Sequence, residues 1–263
     1  MDLQLVGKRA FISGSTQGIG YAIAEALLAE GATVTVNGRD AARVSAAVER
    51  LRSAVPGGEV FGLAADLSMP DEVTRLLESL DDVDILVNNV GLFGLAEFES
   101  VSDAEWARYF DVNVMSGVRL SRRLLGAMRE RGWGRIVFIS SESGVNVPGD
   151  MVHYGVTKAA MVALGNGLAK LTRGTGVTVN TVLGGPTFSD GVAAAVAAVA
   201  GAQSVSSDAM KQAIIGQNHT TLLERFIDPA EVANLVAYIA SPRASATNGA
   251  ALRADGGVLT AML

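Results

Sequence analysis

Ser141, Tyr154 and Lys158 stand at a spacing that lets three complementary groups meet. Lys158 follows Tyr154 by four residues, and Ser141 precedes Tyr154 by thirteen. On a helix, positions i and i+4 share a face, so the Lys158 ammonium can lie beside the Tyr154 phenol. A free phenol titrates near about 10 and is a poor acid–base group at neutral pH, but a neighbouring cation favours the phenolate and lowers that value by ~1–3 units. Tyr154 can then give or take a proton at a carbonyl or hydroxyl oxygen while a hydride moves to or from a nicotinamide. A lone Tyr-x3-Lys is a common accident of helical sequence. Here it follows an apolar run over 135–140 that ends in Ser141, and ligands of open α/β sheets bind at such carboxyl ends. Ser141 is thereby placed to hydrogen-bond the same oxygen. Glu142 is either a second acid near this pocket or a solvated or salt-bridged residue. His153 points away from Tyr154 on the same helix and is expected to line the cleft rim or pack.

A second cluster lies near the start of the chain, where an apolar run ends in Gly14-Ser15-Thr16-Gln17-Gly18-Ile19-Gly20 and passes straight into a helical pattern. Glycines at 14, 18 and 20 allow a sharp turn, bring backbone N–H groups close to a pyrophosphate at a helix N-terminus, and let the helix pack on the strand. The spacing is G-x3-G-x-G, not G-x-G-x-x-G. The next apolar run ends in Asn37-Gly38-Arg39-Asp40. A carboxylate at that tip would accept from the 2′-hydroxyl of NAD, whereas an arginine just beyond it suits the 2′-phosphate of NADP. Arg39 therefore favours NADP(H), with NAD(H) possible, and Asp40 is expected to cap the following helix.

The elements that must position these residues follow from the hydrophobic pattern. Seven runs, at 9–13, 33–37, 59–64, 83–88, 135–140, 177–182 and 250–253, read as strands, most of them apolar on both faces. They alternate with helical segments at 19–30, 41–54, 70–80, 103–131, 152–173 and 229–240. The pattern predicts an α/β fold of the Rossmann type, doubly wound, with a mostly parallel seven-stranded sheet covered by helices on both faces. Ser68, Ser102 and Asp228 read as helix caps, the last two in capping boxes with Glu105 and Glu231. No linker, repeat or low-complexity tract divides residues 1–263, so one domain is expected. Residues 187–225 break the rhythm, since a strand-to-helix connection normally takes two to six residues. They read as a substrate lid with a short helix over 192–202, and His219 within it is either a substrate contact or a solvated or packed residue.

Composition removes several alternatives. The chain has 263 residues, two histidines and no cysteine, which excludes disulfides, thiolate catalysis, cysteine-ligated metals and a histidine-rich metal site. A net charge of −6 without a basic run gives no footprint for nucleic acid or an anionic membrane. The longest apolar stretch, 192–202, is far short of the ~20 residues that span a bilayer. The first residues lack the pattern of a secretory signal, so a cytoplasmic protein is expected.

Over nearly its whole length the sequence resembles the short-chain dehydrogenase/reductase family. The family's glycine turn is matched by Gly14, Gly18 and Gly20, with Ser13 where threonine is usual. Its adenine contact is matched by Asp66-Leu67, and its Asn-Asn-Ala-Gly signature by Asn88-Asn89-Val90-Gly91, where Val90 enlarges a wall beside the cofactor. Its helix-four asparagine is matched by Asn113, and its catalytic serine, tyrosine and lysine by Ser141, Tyr154 and Lys158. The resemblance implies that Tyr154 is the general acid/base, that Lys158 binds the nicotinamide ribose and lowers the tyrosine pKa, that Ser141 orients the substrate oxygen, and that Asn113 holds a water in a proton relay. The family's Asn-x3-Pro-Gly-Pro-Thr appears as Asn180 to Thr187 with Gly184 in place of the first proline. Gly185, Pro186 and Thr187 are thus implied as nicotinamide contacts, and the Gly184-Gly185 pair predicts a loosened lid hinge. In relatives the last strand and the fourth and fifth helices form subunit interfaces, which implies a homotetramer. The expected activity is interconversion of a ketone or aldehyde and an alcohol. The alternative is a catalytically silent dinucleotide-binding sensor or scaffold, which would have no need for Asn113, Ser141, Tyr154 and Lys158 together. Lys211 is the only Lys or Arg in the lid before Arg225, which points to an apolar or neutral substrate.

Overall fold

The computed structural model describes residues 1–80, 82–217 and 220–262. Its strands are β1 (Arg9–Ile12), β2 (Thr33–Gly38), β3 (Val60–Ala64), β4 (Ile85–Asn88), β5 (Trp133–Ser141), β6 (Gly176–Gly184) and β7 (Ala251–Ala254). They form one sheet in the order β3-β2-β1-β4-β5-β6-β7, with every neighbouring pair parallel. The helices are α1 (Gly18–Ala29), α2 (Ala41–Ala54), α3 (Pro70–Ser79), α4 (Asp103–Phe110), α5 (Ser116–Glu130), α6 (Val152–Lys170), α7 (Asp190–Ala202), α8 (Ser207–Gln217) and α9 (Pro229–Ala240).

The strands are apolar on both faces because each face has its own core. Along β5, Val137 and Ile139 face a cluster with Ile23 and Leu27 of α1, Leu51 of α2 and Val232 and Val236 of α9. Ile136 and Phe138 face the opposite cluster, with Leu76 of α3, Leu120 of α5 and Met161 of α6. That is the period-two alternation of a strand buried between two helical layers. The chain winds outward through β2 and β3, returns to β4 beside β1, and then winds the other way. The carboxyl ends of β1 and β4 therefore open a crevice at the point where strand order reverses.

The segment expected as one helix over 103–131 is interrupted by a wider π-type turn at Asp111–Met115. Three caps form at the expected residues, but Ser102 caps without the expected box, because the Glu105 carboxylate pairs with Arg108 at 2.9 Å. Asp40 accepts from Arg43 N–H at 3.0 Å, Ser102 accepts from Glu105 N–H at 3.2 Å, and the Glu231 carboxylate accepts from Asp228 N–H at 2.8 Å. Ser68 is a correction: the α3 cap position is Met69, without a side-chain bond, because the Ser68 hydroxyl donates to Asp66 Oδ1 at 2.7 Å instead. The described residues of 187–225 include α7 and α8 and a small core of Val196, Ala200 and Met210. No described helix is long and apolar enough to cross a membrane.

Candidate active site

The glycine turn is built by close approach. Gly14 and Gly18 have φ of +60°, and a Cβ on Gly14 would stand 2.8 Å from Val90 Cα, while one on Gly20 would collide with Gly14 O and the Asn89 amide. That amide donates to Ser13 O at 3.0 Å and Gly14 O at 2.8 Å. The Ser13 hydroxyl in turn accepts from the N–H groups of Asn89 and Val90 at 2.9 and 3.0 Å. Asn89 and Ser13 thus staple the end of β1 to the end of β4. Ser15 turns inward: its hydroxyl donates to Ile12 O at 2.7 Å and accepts from Asn37 N–H at 2.9 Å.

Above this turn a cavity of about 720 Å³ runs along the carboxyl edge of the sheet, within the usual size of a small-molecule or cofactor cleft. One end is walled by Arg39, Arg43, Asp66 and Leu67, the middle by Gly14, Thr16 to Gly20, Asn89 and Gly91, and the other end by Ser140, Tyr154 and Lys158. Arg39 and Arg43 are exposed and form no ion pair among the described residues. The cradle suits a dinucleotide. Its glycine backbone lies open where a side chain would fill the space, and the N-terminus of α1 faces it. Ser15, Asn113, Ser141, Gly185, Pro186 and Thr187 are not among the residues that wall it, whereas Ser189 and Gly191 are.

At the far end, Ser141 closes β5, and Tyr154 and Lys158 lie on the first turns of α6. The Lys158 ammonium is 5.6 Å from the centre of the Tyr154 ring and donates to Ile139 O at 2.9 Å. Burial pulls its pKa down to about 8, with the charge of Glu142 pulling the other way. Burial also pushes the Tyr154 phenol above its ordinary value. A hydrogen bond with Ser141 opposes that rise, while Glu142 and Tyr109 add to it. The direction is opposite to the one expected from the Lys158 cation alone.

Asn113 sits in the π-type turn, which carries its side chain inward to 1% exposure. Its Nδ2 donates to Leu92 O at 3.0 Å and Thr157 Oγ1 at 2.9 Å, and its Oδ1 accepts from Leu92 N–H at 2.6 Å. Thr157 then donates to Tyr154 O at 2.7 Å, linking Asn113 to the turn that bears Tyr154. Glu142 is drawn into the site, because its carboxylate accepts from the hydroxyls of Ser141 and Ser143. His153 packs, 3% exposed, with its ring edge-on to Tyr109 at 4.3 Å and Trp106 at 6.4 Å.

The lid touches the glycine turn directly, with Gly18 N–H donating to Asp190 Oδ2 at 2.6 Å. Its root is not the loose joint expected of two glycines. Gly184 is paired within β6, Gly185 N–H donates to Ala254 O at 3.1 Å, and a Cβ on Gly185 would collide with Asp255. His219 lies outside the described residues. Arg43, Thr157, Ser189 and Asp190 were not singled out by sequence. Arg43 had a signal, one helical turn beyond Arg39, and Thr157 lies between Tyr154 and Lys158, but nothing in the sequence aims Asp190 at Gly18.

Comparison with known proteins gives the family. The model of the short chain dehydrogenase family matches residues 8–200. An uncharacterized oxidoreductase, YvrD, of Bacillus subtilis (strain 168) is 44% identical over 100% of both chains. The 3-oxoacyl-[acyl-carrier-protein] reductase FabG of Aquifex aeolicus (strain VF5) is 32% identical over 98% of this chain and 100% of its own. Among solved structures, the L-sorbose reductase of Gluconobacter frateurii, complexed with NADPH and L-sorbose, superposes with a TM-score of 0.94 at 31% identity over 100% of both chains. The chain belongs to the short-chain dehydrogenases. It is an NAD(P)(H)-dependent oxidoreductase that interconverts carbonyls and alcohols.

Proposed function

We propose that residues 1–263 form a single-domain oxidoreductase that prefers NADP(H), takes an uncharged ketone or aldehyde and its alcohol as substrates, and uses Tyr154 as general acid/base. The observation that carries this is one cavity running from Arg39 and Arg43 to Tyr154 and Lys158, so that a single extended dinucleotide would meet guanidiniums at one end and a phenol at the other. When bound, the dinucleotide supplies or accepts the hydride.

The rest of the chemistry belongs to the chain. In reduction the Tyr154 hydroxyl gives its proton to the substrate oxygen, and in oxidation the phenolate takes it. The Lys158 ammonium stabilises the phenolate and holds the nicotinamide ribose, Ser141 hydrogen-bonds the substrate oxygen, and Asn113 with Thr157 fixes the turn that carries Tyr154. The backbone from Gly14 to Gly20 is assigned to the pyrophosphate, Asp66 and Leu67 to the adenine, and residues 185–187 to the nicotinamide. The preference for NADP(H) is supported by Arg39 and Arg43 and by the NADPH in the L-sorbose reductase complex. A homotetramer in the cytoplasm completes the proposal, to be tested by light scattering and by cell fractionation.

Tyr154→Phe is expected to keep dinucleotide binding within a few-fold of wild type while turnover on a carbonyl panel falls about 10²–10⁴-fold. Wild-type turnover in that variant would remove Tyr154 from the chemistry. Binding without turnover in the wild type would favour a sensor.

A further inference from the structure

Glu142 belongs to the short turn between β5 and α6, and both of its carboxylate oxygens are engaged by hydroxyl groups. Ser141 Oγ donates to one oxygen and Ser143 Oγ to the other, while Ser141 Oγ accepts from Ser143 N–H at 3.1 Å. A serine hydroxyl has a single proton, and in the resting site it goes to Glu142, so Glu142 competes for it with the Tyr154 oxygen and with an incoming substrate oxygen. No cation pairs with Glu142 among the described residues. The Lys158 ammonium, whose titration Glu142 influences, donates instead to the Ile139 carbonyl.

We propose that Glu142 is a positioning residue of the acid–base centre: its carboxylate holds the Ser141 proton and sets a fixed negative charge beside the Tyr154 phenol, so that the resting centre is poised to give a proton to a carbonyl. The inference rests on the assignment of Tyr154 as acid/base. A carboxylate near a phenol disfavours a second negative charge, and near an ammonium it favours the positive one. Both directions appear here, since Glu142 pushes up the titration of Tyr154 and that of Lys158. The other groups facing the pair are few. From α4 there is Tyr109, which adds to the rise of the phenol, with the Arg108–Glu105 ion pair at 2.9 Å on the same helix, while His153 of α6 turns away to pack on Tyr109 and Trp106. From the end of β5 and its turn come the hydroxyls of Ser141 and Ser143, while that of Ser140 donates to Lys158 O at 2.9 Å.

Reduction needs the neutral phenol, which this charge preserves through neutral pH. Oxidation needs the phenolate together with a charged Lys158, and so is confined between two titrations. Removing the carboxylate lowers both at once, and the whole profile moves toward acid rather than narrowing. A turn that was only mechanically weakened would lose rate without moving the profile.

The test uses Glu142→Gln and Glu142→Asp in two assays. The first follows the ultraviolet phenolate signal of Tyr154 against pH, as the difference between each protein and its Tyr154→Phe counterpart, without dinucleotide or substrate. The second follows kcat/KM for alcohol oxidation with NADP+ against pH. In E142Q the phenolate signal and both limbs of the oxidation profile are expected about one unit closer to neutral, with E142D close to wild type. Where Gln does not fold, Glu142→Ala carries the same test. A phenolate titration in E142Q that superposes on wild type overturns the proposal, as does an E142D that behaves like E142Q. The first assay needs no turnover, so failure of the general acid/base assignment shows separately, as an active Tyr154→Phe enzyme.

Discussion

A guanidinium contributes little to stability when it is exposed and unpaired, so Arg39 beyond the β2 tip and Arg43 in the first turn of α2 are to be judged by what they face. Both line the same end of the cavity as Asp66 and Leu67. A charge-assisted bond to a phosphate contributes roughly 1.5–3 kcal/mol, reduced here by solvent. Arg39→Ala and Arg43→Ala are each expected to weaken NADPH binding about tenfold and NADH binding by less than about twofold, read by fluorescence titration. An equal loss for both cofactors would mean that neither residue reads the 2′-position. At this scale the sequence spoke clearly where helical geometry fixes a distance. Tyr154 and Lys158 had to share a face, and Arg39 had to follow the β2 tip. It was silent where a contact comes from a distant segment. Asn113 was legible only through family resemblance, because its orientation depends on a π-type turn that continues the apolar spacing of its neighbours. Glu142 was legible as an acid but not as the acceptor of the Ser141 proton, since both side chains can also turn outward.

Elements were more legible in their existence than in their ends. The seven strands and the helices between them follow from alternating periods in the hydrophobic pattern, but the lid does not, because an Ala- and Val-rich stretch fits many packings. In the structure α7 begins at Asp190, and the Asp190 carboxylate accepts from Gly18 N–H. That N–H lies at the start of α1, where a pyrophosphate is assigned, and a carboxylate there meets the same positive end of the helix that a phosphate would. Two anions cannot share the position without repulsion. Asp190→Asn is therefore expected to tighten binding of both NADPH and NADH by about three- to tenfold, the size of one removed charge near a helix terminus. Weaker binding of both in the same titration would show instead that the carboxylate latches the lid over the bound cofactor. Because Gly184 and Gly185 are tied to β7, any motion that frees Gly18 has to begin beyond Thr187, whose backbone pairs with Ile227.

Right-handed crossovers leave few ways to wind seven parallel strands once the βα alternation is accepted, but the order β3-β2-β1-β4-β5-β6-β7 is read from the structure and not from the sequence. What the alternation does not give is the coupling of the crevice to the stability of the whole, because the crevice walls come from segments as far apart as Gly14 and Tyr154. A dinucleotide that bridges them binds the folded chain and not the unfolded one, so it stabilises by mass action: about 2.7 kcal/mol at a concentration 100 times its Kd. For a chain of this size that corresponds to a rise in Tm of roughly 5–10 °C. Tyr154→Phe is expected to keep the full rise with NADPH, because the phenol serves the chemistry more than the binding. Arg39→Ala, at the same NADPH concentration, is expected to show about half of it, since a tenfold weaker Kd leaves about 1.4 kcal/mol. With NADH the wild type and Arg39→Ala are expected to shift alike. Differential scanning fluorimetry of the three proteins with each cofactor reads all of these shifts. An Arg39→Ala protein that loses as much of its shift with NADH as with NADPH would place Arg39 in the fold of the crevice rather than at the 2′-phosphate.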